Sequence, residues 1–155
     1  MMKLRTAIKN WRLCRRYPFL RPRRVWDGKV VPLWQWKAQW TWLDSFPEGW
    51  RPFILSKLEE VRQVLVEYGE LDNFRIIDAK EKYGEARIYW TGVLEKVPYD
   101  KVNDILIQME IDSWNFCSSC GEYATMESKG YILPFCPKCA KAAKQKGIKC
   151  VLKKE

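Results

Sequence analysis

The sequence predicts an α+β protein: a small antiparallel sheet with amphipathic helices and a C-terminal four-cysteine zinc ribbon. Two CxxC pairs lie near the end of the chain, two segments ahead of them repeat apolar residues at helical spacing, and short strand-like runs are bounded by glycine turns. We expect a basic N-terminal helix and arm over residues 1–29, an α+β body over residues 30–115, and the zinc ribbon with a basic tail over residues 116–155.

Charge is distributed unevenly along the 155 residues. Residues 1–29 hold ten Lys or Arg and one Asp, residues 140–155 hold six Lys and one Glu, and the part between them is net acidic, within a total of +9. Basic ends attract phosphate or an acidic protein surface. No run approaches the length of a membrane span, and the N-terminus lacks the apolar core of a signal peptide, so we expect a cytoplasmic protein without membrane contact.

The segment from Lys3 to Arg16 carries Leu4, Ile8 and Trp11 at helical spacing among basic residues. It is predicted to be a short amphipathic helix, with two interpretations. Its apolar stripe packs on the body and its basic face is solvated, or the basic face lies on a nucleic-acid backbone or an acidic partner. Prolines then prevent a helix over 17–26, which we expect to run extended to the turn at Asp27–Gly28.

A tryptophan-rich run from Leu33 to Trp42 alternates apolar and polar residues. This period of two predicts a strand with four indoles on one face. Such a face is most often core, although it is also able to stack bases or anchor a protein partner. The four indoles belong to Trp34, Trp36, Trp40 and Trp42.

The remaining body elements follow from periodicity and turn signals. A helix beginning near Pro52 and ending at Tyr68–Gly69 has one apolar stripe, with Glu59, Glu60 and Glu67 expected on its solvated face. Two runs, 74–78 and 85–90, are predicted to be hairpin strands joined by a charged connection over 79–84. A second amphipathic helix is expected from about 99 to 114 and leads to the first cysteine pair.

The two CxxC pairs are separated by fifteen residues and predict a metal site. Each pair is able to form one edge of a zinc tetrahedron while the intervening segment folds back, and Gly121 suits the tight turn after the first pair. Two disulfides or an iron–sulfur cluster are the alternatives, both less natural for this spacing. Lys138 and Lys141 would partly offset the negative charge of the thiolates. The four predicted ligands are Cys117, Cys120, Cys136 and Cys139.

Four cysteines close the coordination sphere of zinc, whereas catalytic zinc keeps an open position. The chain also has no histidine, which removes the commonest general base and the usual catalytic zinc ligand. We therefore expect one structural zinc ion and no enzymatic activity. Asp72, Asp78, Lys80 and Glu81 are the residues from which a metal-dependent nuclease site would have to be assembled, but such a charged strand and turn is usually a solvated edge.

Within the ribbon, a hairpin is expected from 123–126 and 131–134, and a short helix from 140 to 146 ending at Gly147. Cys14 and Cys150 stand apart from the metal pattern near opposite ends of the chain. We interpret them as free thiols of a reducing compartment rather than as a disulfide between them.

Several strings together resemble an uncharacterised family of small phage and prophage zinc-ribbon proteins. They are the arginine-rich 16–26, the Leu-Asp-Ser-Phe-Pro-Glu-Gly-Trp-Arg segment 43–51, residues 75–84 with Arg87 and Tyr89 after them, and the two cysteine pairs. The resemblance covers roughly residues 16–140, and this chain departs from it in its tryptophans at 34–42 and its longer basic ends. It implies an accessory protein of a mobile element, acting in the cytoplasm of a bacterial host.

Small phage proteins of this kind often act on host machinery, and some that contain zinc are similar in kind to anti-CRISPR proteins. We therefore expect a non-catalytic inhibitor that binds a CRISPR–Cas effector nuclease and blocks DNA loading or a domain movement. The alternative is a basic nucleic-acid-binding zinc ribbon or phage regulator, and structural or assembly roles also stay open. The expected partner-binding residues are Arg12, Arg15, Arg16, Arg21, Arg23, Arg24, Trp26, Trp34 and Trp36.

Overall fold

A computed structural model describes residues 2–23, 27–30 and 40–154, and it confirms the predicted α+β class. The elements of the body are two helices that flank a hairpin, preceded by an N-terminal helix. The ribbon adds three short strands and a helix. In chain order they are α1 (Met2–Arg16), α2 (Arg51–Glu67), β1 (Arg75–Lys82), β2 (Glu85–Thr91), α3 (Lys96–Ser113), β3 (Met126–Ser128), β4 (Pro134–Phe135), α4 (Pro137–Gln145) and β5 (Cys150–Leu152).

The core of the body is formed where α2 and α3 pack together and α3 covers the inner face of the hairpin. The predicted stripe of α2 is fully buried, and three residues of α3 face it from the other side. Aromatic rings extend this core toward the N-terminus, because Phe74 contacts Phe19 edge-on at 5.3 Å between ring centroids and Trp90 at 5.0 Å. The buried helix residues are Ile54, Leu58, Val61, Leu65, Val102, Leu106 and Met109.

The hairpin of β1 and β2 is longer than the sequence predicts. Residues 79–82, expected to form a connection, continue β1, and the two strands are joined by a tight turn at Tyr83 and Gly84, both with positive φ. In this stretch Lys80 and Lys82 are exposed, Glu81 is partly buried and Ala79 is buried. Three consecutive charged residues therefore hide the period of two that predicts a strand.

Helix α1 forms where predicted but buries a different face. Ile8 and Trp11 remain 45% and 43% exposed, so the prediction that this stripe packs on the body is wrong for these two residues. Asn10 is buried instead, and Leu13 and Cys14 pack against the core. The chain does not run extended from residue 17, because Pro18 begins a 3-10 turn over Pro18–Leu20.

Most of the predicted tryptophan strand, including Trp34 and Trp36, lies outside the described residues, as do Arg24 and Trp26. The end of that strand is not formed, because Trp42 begins a 3-10 helix over Trp42–Ser45. Thr41 caps this turn through its bonds to the carboxylate of Asp44, whose Oδ2 accepts the Thr41 backbone N–H at 2.8 Å. A capped 3-10 turn thus forms at Trp42, where the alternating apolar and polar residues predict the end of a strand.

The ribbon contains a three-stranded sheet of order β4–β3–β5 with α4 packed against it. Its hairpin is shifted about three residues toward the C-terminus relative to the prediction, and α4 begins directly after Cys136 rather than at residue 140. Strand β5 was not predicted. It pairs with β3 and buries Cys150 in a second apolar core with Phe135, Ala140 and Ala143.

In the described part of the chain, no helix combines the length and the apolar character needed to cross a bilayer.

Candidate metal centre

The four predicted ligands come together in the ribbon. The sulfur atoms of Cys117, Cys120, Cys136 and Cys139 all lie within 4.8 Å of one another, and the Sγ atoms of Cys120 and Cys136 are 3.7 Å apart. Zn–S bonds of about 2.3 Å in a tetrahedron place sulfurs about 3.8 Å apart, whereas a disulfide requires about 2.05 Å. The one short sulfur pair and the 4.8 Å limit on the others fit a four-thiolate metal site better than disulfides, and the four cysteines are free.

Each CxxC pair is held by a different local structure. In the first, the Gly121 backbone N–H donates to the Cys117 carbonyl at 2.9 Å, and Gly121 adopts the positive φ of 82° expected of it. In the second, Cys136 caps the N-terminus of α4, and its sulfur accepts the Cys139 backbone N–H at 3.4 Å. Helix N-terminal donors stabilise negative charge, so this end of α4 favours a thiolate.

The buried thiol of Cys117 has a pKa below that of an ordinary cysteine. Burial raises the pKa of Cys117, but backbone N–H donors of Cys136, Cys120 and Ser119 outweigh it and bring the pKa down to about 7. Burial and the neighbouring thiols raise the pKa of Cys139 above its ordinary value. Without an added positive charge, four clustered thiols resist ionising together, which is the condition that a divalent cation relieves.

The turn before α2 is pressed against the first cysteine pair. The Gly49 backbone N–H donates to the Ser118 carbonyl at 3.0 Å, and a Cβ on Gly49 would lie 2.3 Å from the Cys117 carbonyl oxygen. Next to it, the buried Trp50 indole N–H donates to the Phe116 carbonyl at 2.8 Å. We refer to these contacts of Gly49 and Trp50 with residues 116–118 as the knuckle clamp. Sequence reasoning missed its role, although the Gly-Trp pair just ahead of α2 is the signal for it.

Two further contacts join the ribbon to the body. The Tyr131 hydroxyl donates to the Glu81 carboxylate at the end of β1, which raises the pKa of Tyr131. The Lys153 ammonium donates to the Trp114 carbonyl and lies 4.6 Å from the centre of the Trp114 ring. The metal centre is thus connected to the body through the knuckle clamp, through β1 and through the end of α3.

A cleft of about 540 Å³ opens beside the first cysteine pair. Its walls combine the stacked rings of Phe53 and Phe116, 4.3 Å apart, with the exposed ligand Cys120. Glu122 and Tyr123 complete the ribbon side. The cleft therefore exposes one edge of the cysteine cluster to solvent.

Five of the nine expected partner-binding residues are among the described residues, and they differ in exposure and in their hydrogen-bond partners. Arg12 and Arg15 are exposed on α1, but Arg16 binds Glu59 of α2, with 2.8 Å between Nη2 and Oε1. Arg21 is partly buried. Arg23 donates to the Gly28 carbonyl at 3.2 Å, within a short bridge between residues 23 and 30. Arg24, Trp26, Trp34 and Trp36 lie outside the described residues.

The carboxylates considered for a nuclease site have separate partners. Asp78 binds the ammonium group of Lys80, while Glu81 accepts the Gly84 backbone N–H at 2.7 Å and the Tyr131 hydroxyl. Asp72 is exposed in a 3-10 turn. These groups act in turns and ion pairs rather than converging on one point.

Comparisons with protein-family models, with curated protein sequences and with solved structures give no match to this chain.

Proposed function

We propose that this chain is a non-catalytic, zinc-stabilised protein that inhibits a CRISPR–Cas effector nuclease by binding to it. The support for zinc is the four-thiolate set and its tetrahedral sulfur spacing. Four protein ligands leave no position for a substrate, so the ion stabilises the fold and the inhibitor acts by occupying a surface.

The observation that carries the binding proposal is the solvent-facing side of α1. Ile8, Trp11, Arg12 and Arg15 follow the i, i+3, i+4, i+7 spacing of one helix face, and all four are exposed. The Arg15 guanidinium lies 4.9 Å from the centre of the Trp11 ring, so the apolar and cationic groups form one continuous surface. We call these four residues the α1 face.

The composition of the α1 face specifies the kind of partner. Trp and Arg are the residues that dominate binding hot spots, and neither arginine has an ion-pair partner within the described residues. The complementary surface is an acidic patch that contains an apolar pocket for the indole. On a CRISPR–Cas effector, a protein held at such a patch blocks a domain movement or the loading of target DNA. The choice of effector rests on the resemblance to phage and prophage zinc-ribbon proteins.

The direct test is titration of the purified protein into cleavage reactions of guide-loaded effectors, both single-chain and multi-subunit. Stoichiometric inhibition predicts that cleavage by one effector falls linearly and stops near one inhibitor per effector. If tenfold excess of folded protein leaves every effector fully active, the proposed function is wrong.

The same assay locates the interface. Arg12→Glu combined with Arg15→Glu should raise the concentration needed for half inhibition at least tenfold, because charge reversal places like charges across the interface. The matched control is Lys96→Glu combined with Lys101→Glu on α3, which changes the net charge equally. Equal loss of inhibition in both variants would assign the effect to net charge and overturn the α1 interface.

A further inference from the structure

The ribbon carries an exposed lysine cluster that neither the metal site nor the α1 face uses. Residues 117–154 contain eight lysines and only two acidic residues. Four of the lysines lie in the last turn of α4, in the segment between α4 and β5, and directly after β3. They are Lys129, Lys144, Lys146 and Lys149, and we call them the lysine cluster.

Backbone hydrogen bonds hold the four positions of the lysine cluster together. The Lys129 N–H donates to the Lys149 carbonyl at 2.8 Å, which continues the pairing of β3 with β5. At the end of α4, the Gly147 N–H donates to the Lys144 carbonyl at 3.0 Å, and the Lys146 N–H donates to the Ala143 carbonyl at the same distance. These hydrogen bonds therefore fix the backbone at the four lysines, and the four residues are exposed to solvent.

No ion pair within the described residues neutralises these lysines. Of the two ribbon carboxylates, Glu122 lines the cleft beside Cys120. Burial lowers the pKa of Lys153, and the nearby Glu127 carboxylate partly opposes that effect. Four neighbouring cations without ion-pair partners repel one another, although Lys144 is favourably placed at a helix C-terminus. Packing does not explain the cluster, whereas a polyanionic ligand does.

We propose that the lysine cluster binds the phosphate backbone of a nucleic acid. Lysine ammonium groups bind phosphates as point charges, and phosphate contacts carry no sequence information, so we expect this binding to be independent of sequence. Tyr131, 70% exposed and two residues after Lys129, adds an aromatic ring to the same part of the ribbon. This site is separate from the effector-binding function, because it lies on the ribbon and uses no residue of the α1 face.

The test measures fluorescence anisotropy of a labelled 20-nucleotide single strand and of the same sequence as a duplex, with zinc-loaded full-length protein at several salt concentrations. Counterion release by four lysines predicts that log K falls against log salt with a slope of about −3.6 for the duplex and about −2.8 for the single strand. Tighter binding of the duplex identifies duplex as the ligand, and tighter binding of the single strand identifies stacking on Tyr131. Absence of binding to both at 50 mM salt would overturn the proposal.

Combining Lys144→Gln, Lys146→Gln and Lys149→Gln should reduce the duplex slope by about 2.7 and leave zinc content and thermal stability unchanged.

The matched control combines Lys82→Gln, Lys96→Gln and Lys101→Gln, exposed lysines of the body with the same total charge change. Equal slopes for the two triple variants would show that net charge alone drives binding, and the proposal would fall. Inhibition of effector cleavage is measured in parallel. The lysine-cluster variant keeps that inhibition if the two sites are independent, so failure of either proposal is seen separately from the other.

Discussion

Gly49 brings the body into direct contact with the turn that carries the first cysteine pair. Its φ is not in the left-handed region, so the backbone itself would accept a side chain. The requirement for glycine is steric, since a Cβ would meet the Cys117 carbonyl oxygen at 2.3 Å and the backbone nitrogen of Cys120 at 2.7 Å. Both obstacles are backbone atoms of the metal-binding turn and are unable to move without disturbing the ligands.

Gly49→Ala is therefore expected to lower the free energy of unfolding by about 1–3 kcal/mol, the usual cost of overpacking, and to weaken metal binding as well. Thermal unfolding and competition with a chromophoric zinc chelator measure the two effects. Gly69→Ala is the control, because Gly69 has a φ of +70° with no atom within 4 Å of the added Cβ. It should destabilise the fold through backbone strain alone. Unchanged zinc affinity in Gly49→Ala would contradict the clamp.

Trp50→Phe tests the other half of the knuckle clamp. The substitution keeps an aromatic ring but removes the indole N–H that donates to the Phe116 carbonyl. Leaving that carbonyl unpaired beside a small cavity is expected to cost about 2–4 kcal/mol in denaturant unfolding. Trp11→Phe, on the exposed face of α1, should change stability by less than about 0.5 kcal/mol. Comparable losses in the two variants would contradict the assignment of Trp50 to the clamp.

At the scale of elements, α1 is joined to α2 by one carboxylate. Glu59 accepts hydrogen bonds from Arg62 on its own helix and from Arg16 at the end of α1, both at 2.8 Å from Oε1. From the sequence, Glu59 is expected on the solvated face of α2. Its pairing with Arg16, which lies 43 residues away, is not visible in the local spacing of that helix. Hydrogen bonds from Arg62 in particular hold the pKa of Glu59 well below its ordinary value, against the opposing effect of its partial burial.

A lowered folded-state pKa has a defined sign for stability. Because the folded protein binds the Glu59 proton less tightly than the unfolded chain does, this contribution is fully present above the ordinary pKa of 4.5 and is lost as the pH falls toward the folded pKa. Glu59→Gln should lower Tm by roughly 2 °C at pH 7 and show a smaller further decrease below pH 4.5 than the wild type. Glu60→Gln, an exposed neighbour paired with Lys57, is the control. Parallel pH profiles for wild type and Glu59→Gln would contradict this account.

The elements that sequence reasoning predicts well are those whose own residues determine them. The stripe of Ile54, Leu58, Val61 and Leu65 and the start at Pro52 predict α2 nearly to its ends. Strand β5 was missed because it has only three residues and its pairing with β3 depends on the fold of the ribbon. The buried face of α1 was misjudged because Asn10 is polar and Trp11 is apolar, and tertiary contacts override both preferences.

At the scale of the whole molecule, two apolar cores are connected by the knuckle clamp and by the contacts of β1 and α3 with the ribbon. The four ligands are predictable from sequence because CxxC spacing is a local property of the chain. The clamp is not predictable in that way, since Gly49 lies 68 residues ahead of Cys117 and only the folded structure brings their backbones together.

Removal of the metal should therefore affect more than the ribbon. Structural zinc contributes about 10–16 kcal/mol to small zinc-binding peptides, as much as the whole stability of an ordinary domain, so the ribbon is expected to unfold when its ligands are empty. Hydrogen exchange after treatment with a strong zinc chelator should show loss of protection across residues 117–152 and weakened protection at the start of α2. Full protection at the start of α2 in the chelated protein would show that metal removal does not destabilise the body through the knuckle clamp.

We propose that four thiolates of the ribbon hold one zinc ion in a closed site. X-ray absorption at the zinc edge, on protein purified without added metal, measures the ligands of that ion. We expect one zinc per chain with four sulfur neighbours at about 2.3 Å and no nitrogen or oxygen neighbour. A coordination shell that contains oxygen or nitrogen would indicate an open zinc site, which is the kind that supports catalysis. A chain that carries iron or no metal would contradict the zinc assignment altogether.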